Sequence, residues 1–306
     1  MAKRIFISGA SGFIGRNLKE HLQSVGGYKV LAPGYAELDM LDSEAVKSYI
    51  EHNDIDIIFH GANIGGSRKS SHDRVMPADL RMFFNLTRCR GSFDRMISCG
   101  SGAEYDKRSP ITKATETDFG KRVPVDDYGF SKYIMSTYAA ETDNISVIRF
   151  FAVFGKYEDY EFRFISNAIV KNLLSMPITI KQNVLFDFLY IDDCVRLIER
   201  MLRKKPKHSS YNLARGESVN ILSLAGMINE HSSYKSKITV ENPGMNNEYT
   251  ADNSRLVSEY GKDFKFTPFD ESIPALIGYY RSILPTIDTE KIRQDPYLSK
   301  CTVKGQ

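Results

Sequence analysis

Two residues one helical turn apart, Tyr128 and Lys132 in the segment Tyr128-Gly129-Phe130-Ser131-Lys132, have the types and spacing to move a proton. At i and i+4 they share one face of a helix. A phenol with an ordinary pKa of about 10 is a poor acid–base group at neutral pH, and a neighbouring ammonium favours its ionised form. Spacing alone is weak evidence, because 17 tyrosines in the chain make about one such pair expected by chance. Context adds weight: the pair follows Pro124 and an acidic turn, opens a helix and precedes an apolar strand. A second constellation stands near the N-terminus, in Ile5-Phe6-Ile7-Ser8-Gly9-Ala10-Ser11-Gly12-Phe13-Ile14-Gly15. Gly9 permits a tight turn, Gly12 lets backbone approach a pyrophosphate, and Gly15 lets a helix sit close to a sheet. A phosphate there meets unpaired N–H groups and the positive end of a helix dipole. The frame is G-x-x-G-x-x-G, and its place between a first strand and an amphipathic helix reads as a dinucleotide cradle.

The elements that position these residues alternate. Strands are expected at Lys3–Ser8, Tyr28–Ala32, Ile55–His60, Arg95–Cys99 and Ile145–Phe151. Helices are expected at Gly12–Ser24, Ser43–His52, Leu80–Arg90 and Tyr128–Thr142. Such alternation means an α/β fold of Rossmann type, a doubly wound parallel sheet with helices on both faces. Strands buried on both sides read as nearly continuous apolar runs, as Ile145–Phe151 does. After Gly155 the rhythm changes: a helix at Phe164–Leu174, a strand at Leu185–Ile191 and a helix at Asp192–Leu202 precede shorter, more polar elements, with loops around Asn242–Asn247. The expected organisation is a dinucleotide-binding domain over residues 1–156, with 184–218 returning to it. A smaller C-terminal substrate-binding lobe follows over 157–183 and 219–284, and then a polar tail over 285–306. At the end of the second strand, NAD-preferring Rossmann proteins place a carboxylate on the ribose 2′-hydroxyl. Ala32-Pro33-Gly34-Tyr35-Ala36 offers neither that carboxylate nor an arginine. Nothing there repels a 2′-phosphate, so NADP(H) is expected ahead of NAD(H).

Composition narrows the class. The 306 residues are 42% hydrophobic and 26% charged, with a net charge of +3, as in ordinary soluble globular proteins. So small a charge does not imply nucleic acid. No apolar run reaches the length of a membrane span, and the N-terminal apolar stretch is too short for a signal sequence. Cys89, Cys99, Cys194 and Cys301 are scattered, without metal-ligand spacing, and read as reduced thiols of a cytoplasmic protein. No metal is expected.

The glycine frame, Tyr128 and Lys132, Leu38-Asp39-Met40-Leu41-Asp42, Phe59-His60-Gly61-Ala62-Asn63, Arg149-Phe150-Phe151-Ala152-Val153-Phe154-Gly155 and Asp187–Asp193 together resemble the extended short-chain dehydrogenase/reductase family. The resemblance covers about four-fifths of the chain. It implies a nucleotide-sugar enzyme in which Gly9, Ser11, Gly12, Phe13, Ile14 and Gly15 hold the pyrophosphate. Asp39 and Met40 hold the adenine, and Gly61, Ala62 and Asn63 lie beside the ribose. Phe151 and Val153 lie on the following strand beside the cofactor. It places Tyr128 and Lys132 at the catalytic pair, with Lys132 also bonding the nicotinamide ribose. Family members carry Ser or Thr four residues before a tyrosine, which selects Ser101 over its rival Ser98 as the hydroxyl that steadies the substrate oxygen. His60, at a strand end, is read as structural.

Within the family, Glu37–Asp42, Asn63-Ile64-Gly65-Gly66 and Pro77-Ala78-Asp79 look most like GDP-fucose synthase and related 4-keto-sugar reductases. Dehydratases carry an Asp-Glu pair where this chain has Gly102 and Ala103. The epimerising Cys and His of GDP-fucose synthase fall at Ala103 and near Arg163. The expectation is therefore reduction of a nucleotide-linked 4-keto(-6-deoxy) sugar. A 4-epimerase with retained NAD is the alternative, and a non-catalytic cofactor-binding scaffold is the second. Gly102 and Ala103 line the substrate, and Arg163 and Arg255, ahead of Lys171 and Arg215, are the candidates to neutralise its diphosphate. The resemblance also implies a homodimer through the helix that carries Tyr128, with Tyr133, Ser136, Thr137 and Ala140 on the shared face.

Overall fold

The computed structural model describes residues 2–64 and 75–304. Six parallel strands form the central sheet, in the spatial order Tyr28–Leu31, Lys3–Ser8, Ile57–His60, Arg95–Ser101, Ile145–Phe150 and Ser210–Leu213. From the first strand the chain steps to one side and then returns to build the other. The carboxyl ends of Lys3–Ser8 and Ile57–His60 are thereby left at a switch point, where α/β sheets open a crevice. Both faces are covered. The helices Phe13–Val25 and Ile191–Arg203 pack on one face around Ile5, Ile7, Phe59 and Ile148. Ser43–His52, Val75–Thr87 and Asp127–Ala140 pack on the other around Phe6, Ile58, Met96 and Val147. The strand interiors alternate between these two cores, which is why their sequences read apolar throughout. Each fully buried Ile or Phe contributes about 1.5–3 kcal/mol.

The helix Val75–Thr87 is described from five residues ahead of the expected start at Leu80. Gly65 and Gly66, part of the resemblance, lie outside the described residues.

Around the carboxyl ends of the sheet sits a second group of elements. Ser218–Asn220, Leu185–Tyr190, Tyr249–Ala251 and Ile111–Ala114 form one sheet in that order, with Ala152–Phe154 also pairing to Leu185–Tyr190. Ile178–Asn183 pairs in parallel with Ile238–Met245, so Asn242–Met245 is strand rather than loop. The core here joins the helices Phe164–Leu173, Ile221–Glu230 and Phe269–Ile283. The C-terminal segment belongs to it: Ile287, Ile292 and Tyr297 are buried in the same cluster. Lys171 Nζ, 2% exposed, pairs with Asp295 Oδ2 at 2.6 Å. That ion pair uses the charge that the sequence offers as a diphosphate ligand, and it fastens the segment to the helix Phe164–Leu173.

Candidate active site

The glycine turn is built by close approach. Gly9 has φ +72°, and a Cβ on it would lie 2.6 Å from Ala62 N. A Cβ on Gly15 would lie 2.3 Å from Gly9 O. Gly12 donates its N–H to Gly9 O at 3.0 Å and caps the helix Phe13–Val25 with no side chain, and the first turn carries no carboxylate. Its amide donors and dipole are thus left for an anion. The adjoining groove, about 880 Å³, is lined by Gly9, Ser11, Gly12, Asp39, Met40, Gly61, Ala62 and Asn63. Phe13 and Ile14 instead pack on the core and do not line the groove. Asp39 Oδ1 accepts the Leu41 N–H at 2.9 Å, while the cap of the next helix is Asp42. Arg16 and Lys19 line the same groove together with Ala32, Pro33, Gly34 and Tyr35. No motif marks these two cations. They come from the first helix rather than from the end of the second strand.

Ser101 ends the strand Arg95–Ser101 and caps the short turn Gly102–Tyr105. Its Oγ accepts the Ala103 N–H at 3.1 Å, and Glu104 Oε1 accepts the Ser101 N–H at 2.9 Å. Ser98 lies within the sheet, paired with His60 and Val147, and its hydroxyl is buried with no partner among the described residues. Asp126 caps the helix Asp127–Ala140 by accepting the Gly129 N–H at 2.9 Å. A Cβ on Gly129 would lie 3.0 Å from Ala103 O, so a glycine beside Tyr128 lets the Ser101 turn press against the first turn of this helix. Tyr128 is half-buried at that junction.

Lys132 is 2% exposed, and its Nζ is 5.8 Å from the centre of the Tyr128 ring. Among the described residues its hydrogen-bond partner is Met135 Sδ at 4.0 Å, and no carboxylate pairs with it. A buried ammonium without a carboxylate is costly, and sugar hydroxyls of a bound dinucleotide fit that unmet need. Burial, with the Lys132 charge, pushes His60 down to about 3. His60 is therefore neutral at working pH. Its Nδ1 bonds Ser8 Oγ at 2.8 Å, and Ser8 Oγ accepts the Ala62 N–H at 3.3 Å, which steadies the loop beside the groove. Burial also pushes the Cys99 thiol up to about 12, against the pull of Lys132.

In the turn after Ser101, Gly102 and Ala103 are both buried. A Cβ on Gly102 would lie 2.5 Å from Tyr249 Oη and 2.8 Å from Phe151 Cε1. Phe151 packs on Tyr249, ring centres 5.0 Å apart, while Val153 packs toward the core of the central sheet. Arg163, exposed, caps the helix Phe164–Leu173 and lies within electrostatic reach of Tyr249 and Glu158. Arg255 is engaged elsewhere: its Nη1 donates to Ser210 O at 3.0 Å and its Nε faces Glu116 at 3.6 Å. Arg215 donates to Thr267 O at 2.8 Å and stacks on Phe269. On the expected dimer face, Ser136 turns inward to Glu104 and Tyr133 stacks on Phe119 at 4.7 Å, leaving Thr137 and Ala140 exposed. Glu104 stands three residues after Ser101, at capping-box spacing, whereas Tyr249, pressed against Gly102, is the neighbour that no spacing rule finds, because tertiary packing places it.

A Rossmann sheet with a phosphate cradle at its switch point, and a Ser–Tyr–Lys set beside it, defines a dinucleotide-dependent enzyme class. Residues 5–214 match the NAD dependent epimerase/dehydratase family, and the chain belongs to that family. It is 22% identical over 285 residues to GDP-6-deoxy-D-talose 4-dehydrogenase of Aggregatibacter actinomycetemcomitans, covering 86% of this chain and 93% of that protein. A shorter stretch of 109 residues is 28% identical to GDP-L-colitose synthase of Yersinia pseudotuberculosis, 34% of this chain and 35% of that one. Among solved structures, a GDP-L-fucose synthetase from Naegleria fowleri bound to NADP superposes with a TM-score of 0.80 at 16% identity, covering 93% and 94% of the two chains. Among the described residues no helix is long and apolar enough to cross a membrane.

Proposed function

We propose that the chain is an NADP(H)-dependent reductase of a nucleotide-linked 4-keto-6-deoxy sugar. The observation that carries this reading is the junction at Gly129. There the hydroxyl-bearing turn of Ser101 meets the helix of Tyr128, with the buried Lys132 ammonium one turn further on. When bound, the nicotinamide supplies the hydride. Tyr128 hands its proton to the ketone oxygen, the Ser101 hydroxyl hydrogen-bonds that oxygen as it gains charge, and Lys132 holds the ribose and tunes the phenol. Gly102 and Ala103 bring no carboxylate or thiol to the sugar, which favours reduction over dehydration or C3/C5 epimerisation. Lys19 supports NADP(H), as an amine on the groove beside Ala32–Tyr35 with no acidic partner among the described residues. Arg163, exposed at the start of the helix Phe164–Leu173 and within electrostatic reach of Tyr249, is the diphosphate ligand in this reading. A homodimer across the exposed Thr137 and Ala140 and a cytoplasmic site, in keeping with four free cysteines, complete the reading. Light scattering on the purified chain checks the dimer.

The test is oxidation of NADPH in the presence of GDP-, dTDP-, CDP- and UDP-linked 4-keto sugars. Turnover with one of them supports the reading. If all four are inert while a hydroxyl-bearing nucleotide sugar is isomerised, the reaction is 4-epimerisation.

A further inference from the structure

The most exposed large hydrophobic side chain among the described residues is Tyr35, at 80%, and it lines the dinucleotide groove. A tight turn puts it there. The Glu37 and Leu38 N–H groups both donate to Gly34 O at 3.0 Å, and the Glu37 carboxylate accepts the Gly34 N–H at 2.7 Å. Tyr35 lies inside that loop of bonds, so backbone geometry rather than packing of its ring sets its place. Its hydroxyl donates to Asp39 Oδ2 at 3.5 Å, and the other oxygen of that carboxylate accepts the Leu41 N–H.

The residues around the groove divide by chemistry. The first helix brings Arg16 and Lys19, whose charges suit phosphate. The segment that follows Tyr35 brings Leu38, Met40 and Leu41, and Ile64 and Met82 add to that apolar lining. Asn85 Nδ2 donates to Met40 O at 2.9 Å, which ties the segment to the helix that carries Met82. Apolar side chains beside one exposed aromatic ring suit a flat, uncharged group, and a nucleobase offers such a ring a π-face. We infer that Tyr35 stacks on the adenine of the bound dinucleotide and covers it from the solvent side, with Asp39 holding the phenol in place. The inference rests on the reading of this groove as the dinucleotide site, and it concerns the base rather than the 2′-phosphate. Because the ring is packed on so little of the protein, its loss is felt in binding and not in folding.

The experiment is calorimetric titration of the full chain and of two variants, Tyr35→Ala and Tyr35→Phe, with NADPH and with NADH, alongside melting curves without cofactor. Tyr35→Ala is expected to weaken each dinucleotide that the parent binds about tenfold, the scale of one base stacked on an aromatic ring, at an unchanged melting temperature. Tyr35→Phe keeps the ring and gives up only the hydroxyl, so it is expected to bind within about twofold of the parent. Unchanged affinity in Tyr35→Ala would overturn the proposal. So would a Tyr35→Phe protein as weak as Tyr35→Ala, or a loss confined to NADPH where the parent binds both, since either result assigns Tyr35 to a polar contact. A melting temperature that falls together with affinity would assign the ring to the fold and overturn it as well. A parent chain that binds neither dinucleotide would instead sink the reading of the groove itself.

Discussion

Glu104 and Arg149 form an ion pair inside the protein, 2.6 Å between Oε2 and Nε, with side chains 0% and 1% exposed. The same carboxylate accepts the Ser101 N–H and, at 2.6 Å, the Ser136 hydroxyl. One pair of charges thus ties the end of the strand Arg95–Ser101 to the helix that carries Tyr128. The guanidinium also lies over the Phe119 ring at 4.4 Å and reaches the Tyr105 hydroxyl. Burying two charges costs heavily, and the additional hydrogen bonds offset that cost.

Removing one partner leaves the other charged and dry. Glu104→Ala is expected to destabilise the protein by about 3–5 kcal/mol. Glu104→Gln, which keeps the shape and some of the hydrogen bonds, is expected to lose less. Denaturant unfolding of both variants checks this, and equal stabilities for Glu104→Ala and the parent would remove the pair from the account.

A different buried carboxyl links stability to pH. Burial pushes Glu158 up to about 8 from 4.5, against the Ser166 hydroxyl and the Arg163 charge. Between those values the folded chain holds a proton that the unfolded chain has released. Stability is therefore expected to fall as pH rises from about 4.5 to about 8, by at most about 1.4 kcal/mol per pH unit from this group. Glu158→Gln is expected to remove that slope and to gain on the parent most at the alkaline end. Melting temperatures of the two proteins across that range are the measurement.

Gly12 separates cofactor binding from folding. Its φ of −79° suits any residue, and a Cβ there meets Gly9 O at 3.3 Å as its nearest neighbour. Gly12→Ala is expected to fold normally while weakening NADPH binding about tenfold or more, because the methyl stands where the pyrophosphate approaches the backbone. Calorimetric titration with NADPH, alongside a melting curve, tells the two effects apart.

Lys19 carries the expected choice between the two dinucleotides. Lys19→Gln is expected to lower kcat/KM with NADPH about tenfold and to leave that with NADH nearly unchanged, the signature of a lost contact to the 2′-phosphate. Equal losses with both cofactors would assign Lys19 to the groove wall instead.

The glycine frame is readable from the sequence because its geometry is local. A positive φ at Gly9 and the approach of Gly15 to Gly9 fall within seven residues, directly after the strand Lys3–Ser8. Tyr128 and Lys132 are likewise related by one helical turn. The rest of the site is written in tertiary packing. Tyr249 reaches Gly102 only because its strand pairs with both Leu185–Tyr190 and Ile111–Ala114, a register that no periodicity announces. Arg255 and Lys171 carry the charge a diphosphate needs, yet folding pairs them with Glu116 and Asp295. The segment after Leu284 reads as polar, and the three apolar residues that anchor it are too sparse to show a period.

The reductase reading is tested most directly by counting cofactor against product. With a nucleotide-linked 4-keto sugar and the purified protein, one NADPH is expected to disappear for each sugar reduced. Tyr128→Phe is expected to bind NADPH normally and to lose nearly all turnover. A sugar isomerised with no net loss of NADPH, or a Tyr128→Phe protein as active as the parent, would contradict it.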